Sequence, residues 1–235
     1  MKIALLGYGK MGQTIERIAL ERGHEIVLKK DEFNTFEGLS NADVAIDFSI
    51  PAVAVENISS CFYANVPVIS GTTGWLDRFD EMVALCEEKG GAFISSSNFS
   101  LGVNLFFGLN EYLAKMMSKF DSYKVEMEEI HHTQKLDAPS GTAISLAKGV
   151  IENSNYTNWT LEDAKENDIH IEALRIGDVP GTHTVTYNSV VDTIEIKHTA
   201  HNRDGFALGA VIAAEWIVGK KGVFTMRDVL ELNSN

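Results

Sequence analysis

The first hundred residues alternate short apolar runs with longer segments whose apolar residues recur at helical spacing. Five apolar runs predict β-strands, at residues 2–6, 25–29, 44–48, 67–71 and 92–97. The segments between them predict helices that end near residue 22 and cover about 51–64 and 75–89. Strands and helices that alternate in this way form a parallel sheet with helices on both faces. We therefore expect an α/β fold of the Rossmann type here.

The pattern changes after residue 97. A long apolar helix is predicted over 103–119, an alternating strand then leads to His132, and another helix begins near Ser140. Three more alternating strands are predicted at 169–177, 182–190 and 192–200, followed by helices at 206–219 and 226–232. Strands in succession with tight links predict an open, mostly antiparallel sheet with one free face.

These elements predict two domains. The first comprises residues 1–101 and is completed by residues 206–235. The second is an inserted α+β domain over residues 102–205, built on an open mixed sheet. The fold class expected for the chain is therefore α/β, with a Rossmann domain interrupted by the insertion.

Charge and composition narrow the classes of partner. The chain has 20 Lys and Arg against 33 Asp and Glu, a net charge of −13, so nucleic acids and anionic membranes are poor partners. No run of 18 apolar residues occurs, and the N-terminus leads straight into a strand, so we expect neither a membrane span nor a signal peptide. Cys61 and Cys86 lack metal-ligand spacing, which predicts buried thiols in a reducing, cytoplasmic setting.

A glycine-rich turn follows the first predicted strand and opens the first predicted helix. It fits the pattern G-x-G-x-x-G, with Gly7, Tyr8, Gly9, Lys10, Met11 and Gly12. In this context the pattern predicts a dinucleotide site, because a helix N-terminus offers N–H groups and a positive dipole end to a pyrophosphate. Gly7 is expected to permit the turn, Gly9 the approach of the pyrophosphate and Gly12 the packing of helix on strand. A plain strand-to-helix turn is the alternative.

The same fingerprint predicts an acid at the end of the second strand, and Asp31 lies there. Its carboxylate is expected to accept hydrogen bonds from the adenosine ribose hydroxyls. This favours NADH, because a 2′-phosphate would face a negative charge. Lys29 and Lys30 favour NADPH instead, if either side chain reaches a 2′-phosphate. The alternative is that both lysines are solvated residues at the end of the strand. We expect NADH as the cofactor, with NADPH tolerated.

Two small polar turns follow the fourth and fifth predicted strands, where open α/β sheets bind ligands. They consist of Gly71, Thr72, Thr73 and Gly74, and of Ser96, Ser97, Asn98 and Phe99. Both are suited to backbone contacts with ribose and nicotinamide. Taken alone, each could equally be an ordinary turn.

A second group of candidate proton-donating and anion-binding residues lies in residues 128–143, which contain two adjacent histidines, a lysine and a Pro-Ser-Gly-Thr turn. His131 and His132 end an alternating strand and so face opposite sides, a poor arrangement for chelating a metal. His131 and Lys135 could converge across the loop. The N–H groups of Gly141 and Thr142 at a predicted helix start would form a cradle for a carboxylate.

Basic residues concentrate in the inserted domain. Six of the seven histidines lie between His131 and His201, and Arg175 and Arg203 add to this basic region. A local basic region in an acidic chain predicts a small anionic substrate. His183 and His198 could belong to it or could be ordinary strand residues.

These motifs resemble 4-hydroxy-tetrahydrodipicolinate reductases, also called dihydrodipicolinate reductases, over nearly the whole chain. The similar segments are the Gly7–Gly12 loop, VAIDFS, SGTTG, SNFSLGVN, EIHH with Lys135 and DAPSGTA, PGTHTV, IEIKHTAHNR and FALGAVIAAEW. The family reduces a cyclic imine dicarboxylate to tetrahydrodipicolinate with NAD(P)H, in the diaminopimelate and lysine pathway. The resemblance implies a dinucleotide-binding first domain, an inserted domain for substrate binding and oligomerisation, and a homotetramer.

The resemblance also implies residue roles. His131 would be a proton donor and acceptor and Lys135 a second proton donor. His132 and the backbone of Gly141 and Thr142 would bind substrate carboxylates. The glycine-rich loop, Asp31 and the two polar turns would bind the cofactor. Many family members carry a basic residue directly after the ribose acid, whereas this chain has Glu32.

Two other functions share part of this pattern. One is another nicotinamide oxidoreductase of the same two-domain plan, such as an amino-acid or semialdehyde dehydrogenase. Such an enzyme would share the cofactor motifs up to Phe99 but would not need the two histidines, Lys135 and the DAPSGT segment. A non-catalytic NAD-binding sensor would keep the glycine-rich loop and lack a proton donor over the cofactor.

Overall fold

The structure is a computed structural model that describes residues 1–31 and 33–232. It divides into two compact units. The first unit comprises Met1–Leu101 and Asp204–Asn235, and the second comprises Gly102–Arg203. Within the described residues, no helix is both long and apolar enough to cross a membrane.

The first unit contains a six-stranded parallel sheet in the order β11-β5-β4-β3-β1-β2. Its strands are β1 (Lys2–Leu6), β2 (Glu25–Lys30), β3 (Val44–Asp47), β4 (Val68–Ser70), β5 (Ala92–Ser95) and β11 (Gly222–Phe224). Its helices are α1 (Lys10–Glu21), α2 (Pro51–Tyr63), α3 (Phe79–Lys89), α6 (Asp204–Ile217) and α7 (Met226–Val229). The parallel sheet confirms the predicted Rossmann-type fold.

Alternation along the strands explains why helices cover both faces. Ile3 and Leu5 of β1 pack with α1 and α6 on one face, while Ala4 and Leu6 pack with α2 and α3 on the other. All four side chains are buried. Because parallel strands end at the same edge, the turns that follow β1, β3, β4 and β5 all lie along the C-terminal edge of the sheet.

The second unit contains a five-stranded sheet in the order β10-β9-β6-β8-β7. Its strands are β6 (Lys124–His131), β7 (Asn158–Thr160), β8 (Asp168–Arg175), β9 (Thr182–Asn188) and β10 (Thr193–Thr199), and its helices are α4 (Leu101–Met117) and α5 (Gly141–Glu152). Both helices pack on the face that carries Val125 and Met127. Glu126 and Glu128 lie on the other face.

The expectation of a mostly antiparallel sheet in this unit is wrong. β6 pairs with β8 in parallel and β7 with β8 in parallel, so only the β6–β9 and β9–β10 pairs are antiparallel. The long link through α5 and β7 allows β8 to return beside β6 in the parallel direction, whereas short links would force a hairpin. The predicted open mixed sheet is what forms. β7 and β11 were not predicted, because strands of three residues carry too little alternation to detect.

Candidate active site

The β1–α1 turn depends on glycine at two positions for packing. Gly7 has φ of +99°, and a Cβ added there would lie 2.2 Å from the Phe48 carbonyl oxygen. A Cβ added at Gly12 would lie 2.3 Å from the Gly7 carbonyl oxygen. Gly9 differs, because a Cβ there would meet no atom within 4 Å. The space beside Gly9 is open on the side where α1 begins, as backbone approach to a phosphate requires.

The end of β2 lies directly beside this turn. The Gly7 N–H donates to the Lys30 carbonyl oxygen at 2.9 Å, which places Asp31 next to the glycine-rich loop. One Asp31 carboxylate oxygen accepts a hydrogen bond from the Phe33 N–H at 2.9 Å. Asp31 is exposed and has a second oxygen for a ligand. Glu32, the acidic residue that directly follows Asp31 in the sequence, lies outside the described residues.

Both lysines near Asp31 have partners within the chain. The Lys29 ammonium lies 2.5 Å from the Glu16 carboxylate, and the Tyr8 hydroxyl donates to the same carboxylate. These hydrogen bonds lower the pKa of Glu16 and raise that of Lys29. The Lys30 ammonium lies 4.7 Å from the centre of the Phe36 ring. Lys10 and Met11 occupy the first turn of α1, which carries no acidic residue.

The two polar turns share one pocket at the C-terminal edge of the sheet. Thr72, Thr73, Ser96 and Ser97 line this pocket, whose volume is about 360 Å³. The Gly71 N–H donates to the Asp47 carbonyl oxygen and the Ser96 N–H to the Ser70 carbonyl oxygen, so the turns prolong the sheet's ladder. The Ser96 hydroxyl and the Asn98 backbone exchange hydrogen bonds. Phe99 is 1% exposed and its ring belongs to the core, so only its backbone is suited to contact a ligand.

A buried carboxylate supports these turns and was missed in the sequence. Asp47, the last residue of β3, accepts hydrogen bonds from the Ser49 hydroxyl, the Asn57 amide and the Ser70 hydroxyl at 2.7–2.9 Å. The Ser49 N–H donates to the Thr72 hydroxyl at 2.8 Å. Burial raises the pKa of Asp47, and the hydrogen bonds oppose that shift. The sequence signal for this buried carboxylate was an acidic residue at the end of an otherwise apolar strand.

In the second unit, the two adjacent histidines differ in burial. His131 is the last residue of β6 and is 8% exposed, whereas His132 begins the following loop and is half-buried. The His131 ring lies against Gly181, where an added Cβ would come within 3.1 Å of Nε2. Its ring also meets the His183 ring, with centroids 5.0 Å apart. His183 therefore lies beside the candidate site residue His131.

Glu129 is a fully buried carboxylate behind His131, and sequence reasoning missed its role. Both carboxylate oxygens accept a hydrogen bond from the Ser140 N–H at 3.0 Å, and one accepts a hydrogen bond from Arg175 Nη2 at 3.0 Å. Glu129 Oε2 lies 3.5 Å from His131 Nδ1 and 3.6 Å from His183 Nε2. The Glu129 carboxylate therefore connects three segments of the second unit.

Burial alone would raise the pKa of the Glu129 carboxyl group. The contacts with His183, Ser140 and Arg175 outweigh burial and lower this pKa to about 2. For His131, burial and the neighbouring His183 lower the pKa to about 4, against the opposing influence of Glu129. His131 is therefore neutral at pH 7 in the ligand-free chain.

Glu129, His131 and His183 bring potential metal-ligand atoms within 4.8 Å of one another. The Arg175 guanidinium already neutralises the carboxylate. A metal ion bound to the same carboxylate would have to displace this cation or bear its repulsion.

The loop of residues 132–139 carries the candidate lysine. Lys135 Nζ contacts both carboxylate oxygens of Asp137 at 2.8 Å. Arg175 lies beneath the loop and donates to the carbonyl oxygens of Lys135 and Asp137. The loop ends at Ser140, whose hydroxyl caps α5 by accepting a hydrogen bond from the Ala143 N–H.

The start of α5 leaves backbone donors for an anion. Gly141 and Thr142 occupy the first turn, where N–H groups have no intrahelical partner. A Cβ at Gly141 would meet no atom within 4 Å, so the backbone there is accessible.

Of the remaining histidines, His198 packs against Phe106 and Gly102. Burial lowers the pKa of His198, as do His183 and His201.

Comparison with known proteins assigns the family. Residues 1–99 match the family model described as dihydrodipicolinate reductase, N-terminus, and residues 102–230 match the one described as its C-terminus. A protein from Christiangramia forsetii named 4-hydroxy-tetrahydrodipicolinate reductase is 56% identical over 98% of both chains. One of the same name from Methanoregula boonei is 35% identical, again over 98% of both chains.

A solved structure agrees in fold. It is titled dipicolinate-bound dihydrodipicolinate reductase, from Paenisporosarcina sp. TG-14, and is 22% identical with a TM-score of 0.75 over 96% of this chain and 97% of that one. Because the two family models together span nearly all residues and relatives exceed 30% identity over their full length, the chain belongs to the dihydrodipicolinate reductase family of oxidoreductases.

Proposed function

We propose that the chain reduces 4-hydroxy-tetrahydrodipicolinate to tetrahydrodipicolinate with a nicotinamide cofactor, in diaminopimelate and lysine biosynthesis. The 4-hydroxyl group of the substrate leaves as water, and the cofactor hydride and one proton are added. One observation supports this most directly. Glu129 and Arg175 connect the end of β6 at His131, the loop that carries Lys135 and the start of α5, and this arrangement forms the proposed substrate site. Such a site is suited to a small dicarboxylate, and a non-catalytic NAD sensor would not need it.

The substrate carboxylates are bound by His132, Lys135 and the N–H groups of Gly141 and Thr142. A carboxylate at the start of α5 gains from two backbone donors and from the positive end of the helix dipole. Lys135 exchanges its ion pair with Asp137 for one with the substrate, which is possible because Asp137 is largely exposed and that pair is weak.

His131 and Lys135 handle the proton that reduction of the conjugated imine requires. His131 is neutral in the ligand-free chain, and a bound dianion raises its pKa, so that it gains the proton together with the substrate. Lys135 is the second donor. Proton uptake by His131 therefore depends on substrate binding.

The cofactor is held by the first unit and supplies the hydride when it is bound. Gly7 to Gly12 and the start of α1 bind the pyrophosphate, and Asp31 binds the adenosine ribose. The turns Gly71–Thr73 and Ser96–Phe99 bind the nicotinamide half. NADH is preferred because Lys29 is engaged with Glu16 and Tyr8, and a 2′-phosphate would have to break that pair. NADPH is used with a higher KM.

The second unit also forms a homotetramer through its sheet, and the chain works in the cytoplasm. β10 is an edge strand with both faces largely exposed, and an exposed edge is a site of pairing with another chain. Light scattering during size-exclusion chromatography is expected to give about 104 kDa, four times the chain mass of 25.9 kDa. A mass near 26 kDa would contradict the tetramer.

Coupled turnover tests the proposed activity. Aspartate semialdehyde and pyruvate are supplied with the upstream synthase, and loss of NADH absorbance at 340 nm is followed with and without the chain. We expect turnover with NADH and, at a higher KM, with NADPH. Absence of turnover with either cofactor would refute the proposal. Reduction of NAD+ or NADP+ with aspartate semialdehyde and phosphate would favour a semialdehyde dehydrogenase instead, because that enzyme oxidises the aldehyde.

A further inference from the structure

We infer that Glu129 and Arg175 are positioning residues, which hold His131, the 132–139 loop and the start of α5 in one arrangement for proton transfer. This inference rests on the proposed reductase activity. Neither residue is expected to contact substrate or cofactor. Glu129 is completely buried, and Arg175 lies beneath the loop with its guanidinium occupied by chain atoms.

The strand register brings the pair together. Glu129 and His131 are two apart on β6 and therefore share a face, and His131 lies opposite Arg175 of β8 in the parallel ladder. On the other side, Glu129 lies opposite His183 of β9. Neighbouring strands thus place a guanidinium and a second imidazole around the carboxylate.

The carboxylate fixes the start of the anion site. Both Glu129 oxygens accept from the Ser140 N–H, the residue that caps α5. Ser140 also contacts His183 Nε2 through its hydroxyl at 3.1 Å. The N–H groups of Gly141 and Thr142 follow directly, so their direction depends on this anchor.

The guanidinium fixes the lysine. Arg175 donates to the carbonyl oxygens of Lys135 and Asp137 and to Glu129, which uses the planar fork of donors that only arginine has. The Ile176 N–H donates to the His131 carbonyl oxygen and the Thr133 N–H to that of Gly177, so the start of the loop is tied to the end of β8. The other end of the loop is tied to Glu129 through the Ser140 N–H. Loss of the fork would release the middle of the loop while its ends stay attached.

Electrostatics provide a readout that a purely structural role would not move. The titratable and charged groups that face His131 are Glu129 on its own strand, His183 on β9, Arg175 on β8 and Lys135 in the loop. Of these, only Glu129 favours the protonated ring. Replacing Glu129 with a neutral isostere should therefore lower the pKa of His131 further, even without substrate.

The experiment compares Glu129→Gln and Arg175→Lys with the wild type and with Arg78→Lys, which alters an exposed ion pair in the first unit. We expect kcat/KM to fall at least about 10-fold in Glu129→Gln and about 10-fold in Arg175→Lys, and to stay within twofold of wild type in Arg78→Lys. The dissociation constant for NADH should stay within twofold throughout. In an NMR titration of the ligand-free chain, the His131 ring signal should titrate at lower pH in Glu129→Gln than in the wild type.

Wild-type kcat/KM in a folded Arg175→Lys or Glu129→Gln would overturn the inference, as would an unchanged His131 titration in Glu129→Gln. Arg175→Lys keeps a cation beside Glu129, so it remains informative if Glu129→Gln fails to fold. A wild-type chain without turnover would refute the proposed function instead. In that case the His131 titration still tests the link to Glu129, because it needs no substrate.

Discussion

Gly9 and Gly7 belong to one motif, yet they serve different purposes. Gly7 is enclosed by the Phe48 backbone, whereas the position of a Cβ at Gly9 is open. We predict that Gly9→Ala folds, with a stability loss of about 1 kcal/mol because alanine is a poorer N-cap. It should raise the dissociation constant for NADH at least ~10-fold, since the methyl group occupies the space of the pyrophosphate.

Fluorescence titration with NADH measures this effect, and Gly205→Ala in α6 is the matched control. A Cβ at Gly205 would make an ordinary contact of 3.6 Å with the Ser100 hydroxyl, so NADH affinity should be unchanged. Equal NADH affinity in Gly9→Ala and wild type would show that the dinucleotide does not approach this turn.

Lys135 makes its role testable because it contributes little to folding. Its ion-pair partner Asp137 is 59% exposed, and pairs with a solvated carboxylate stabilise proteins by about 1 kcal/mol or less. We predict that Lys135→Ala lowers kcat on the order of 10²-fold, the scale of a lost general acid. Steady-state kinetics measure this, with exposed Lys148→Ala of α5 as the control. A wild-type kcat would remove Lys135 from the mechanism.

At the scale of elements, Asp47 links β3, β4 and α2 beneath the two polar turns. An amide in its place would present N–H donors to the Ser49, Asn57 and Ser70 donors. We predict that Asp47→Asn lowers the free energy of unfolding by about 1–3 kcal/mol and weakens NADH binding. Thermal melting and NADH titration measure both. Asp43→Asn, an exposed acid in the same unit, should change neither, and unchanged NADH affinity in Asp47→Asn would separate the network from the cofactor site.

The elements themselves were predictable where apolar periodicity is local and long. β1 matches its predicted range, and α2 differs from its prediction by one residue at the end. The start of α5 was also predictable, because a Pro-Ser-Gly-Thr turn combines an N-cap with a helix start.

The supporting shell of the site was not predictable, for a physical reason. Glu129 and Arg175 are 46 residues apart in sequence and meet only because β6 and β8 pair in parallel, a topology that the alternating pattern does not specify. Asp47 and Ser70 meet in the same way across β3 and β4. The candidate catalytic and anion-binding residues are close together in sequence, whereas the residues that hold them in place are distant in sequence.

At the scale of the whole molecule, the lowered pKa values make acid stability depend on the second unit. His131 has a folded pKa of about 4 against about 6.5 when unfolded, so the unfolded state binds more protons and stability falls as the pH drops from about 6.5 to 4. The Glu129 pKa of about 2 continues the loss below about pH 4.5, in the same direction.

We predict that His131 accounts for about 3 kcal/mol of this loss between pH 6.5 and 4. Urea unfolding at pH 7, 5.5 and 4, compared between wild type and His131→Gln, measures it. The wild type should lose more stability than the variant over this window. Equal losses would mean that the folded and unfolded chains protonate His131 alike.

Hydride transfer from the cofactor to the cyclic dicarboxylate can be followed with an isotope. The chain is incubated with NADH deuterated on the transferred side of C4 and with substrate generated by the upstream synthase, and the product is analysed by mass spectrometry. We expect tetrahydrodipicolinate with one deuterium on a ring carbon, formed at a rate that falls with Lys135→Ala. Tetrahydrodipicolinate without deuterium, or unchanged substrate after full cofactor binding, would contradict it.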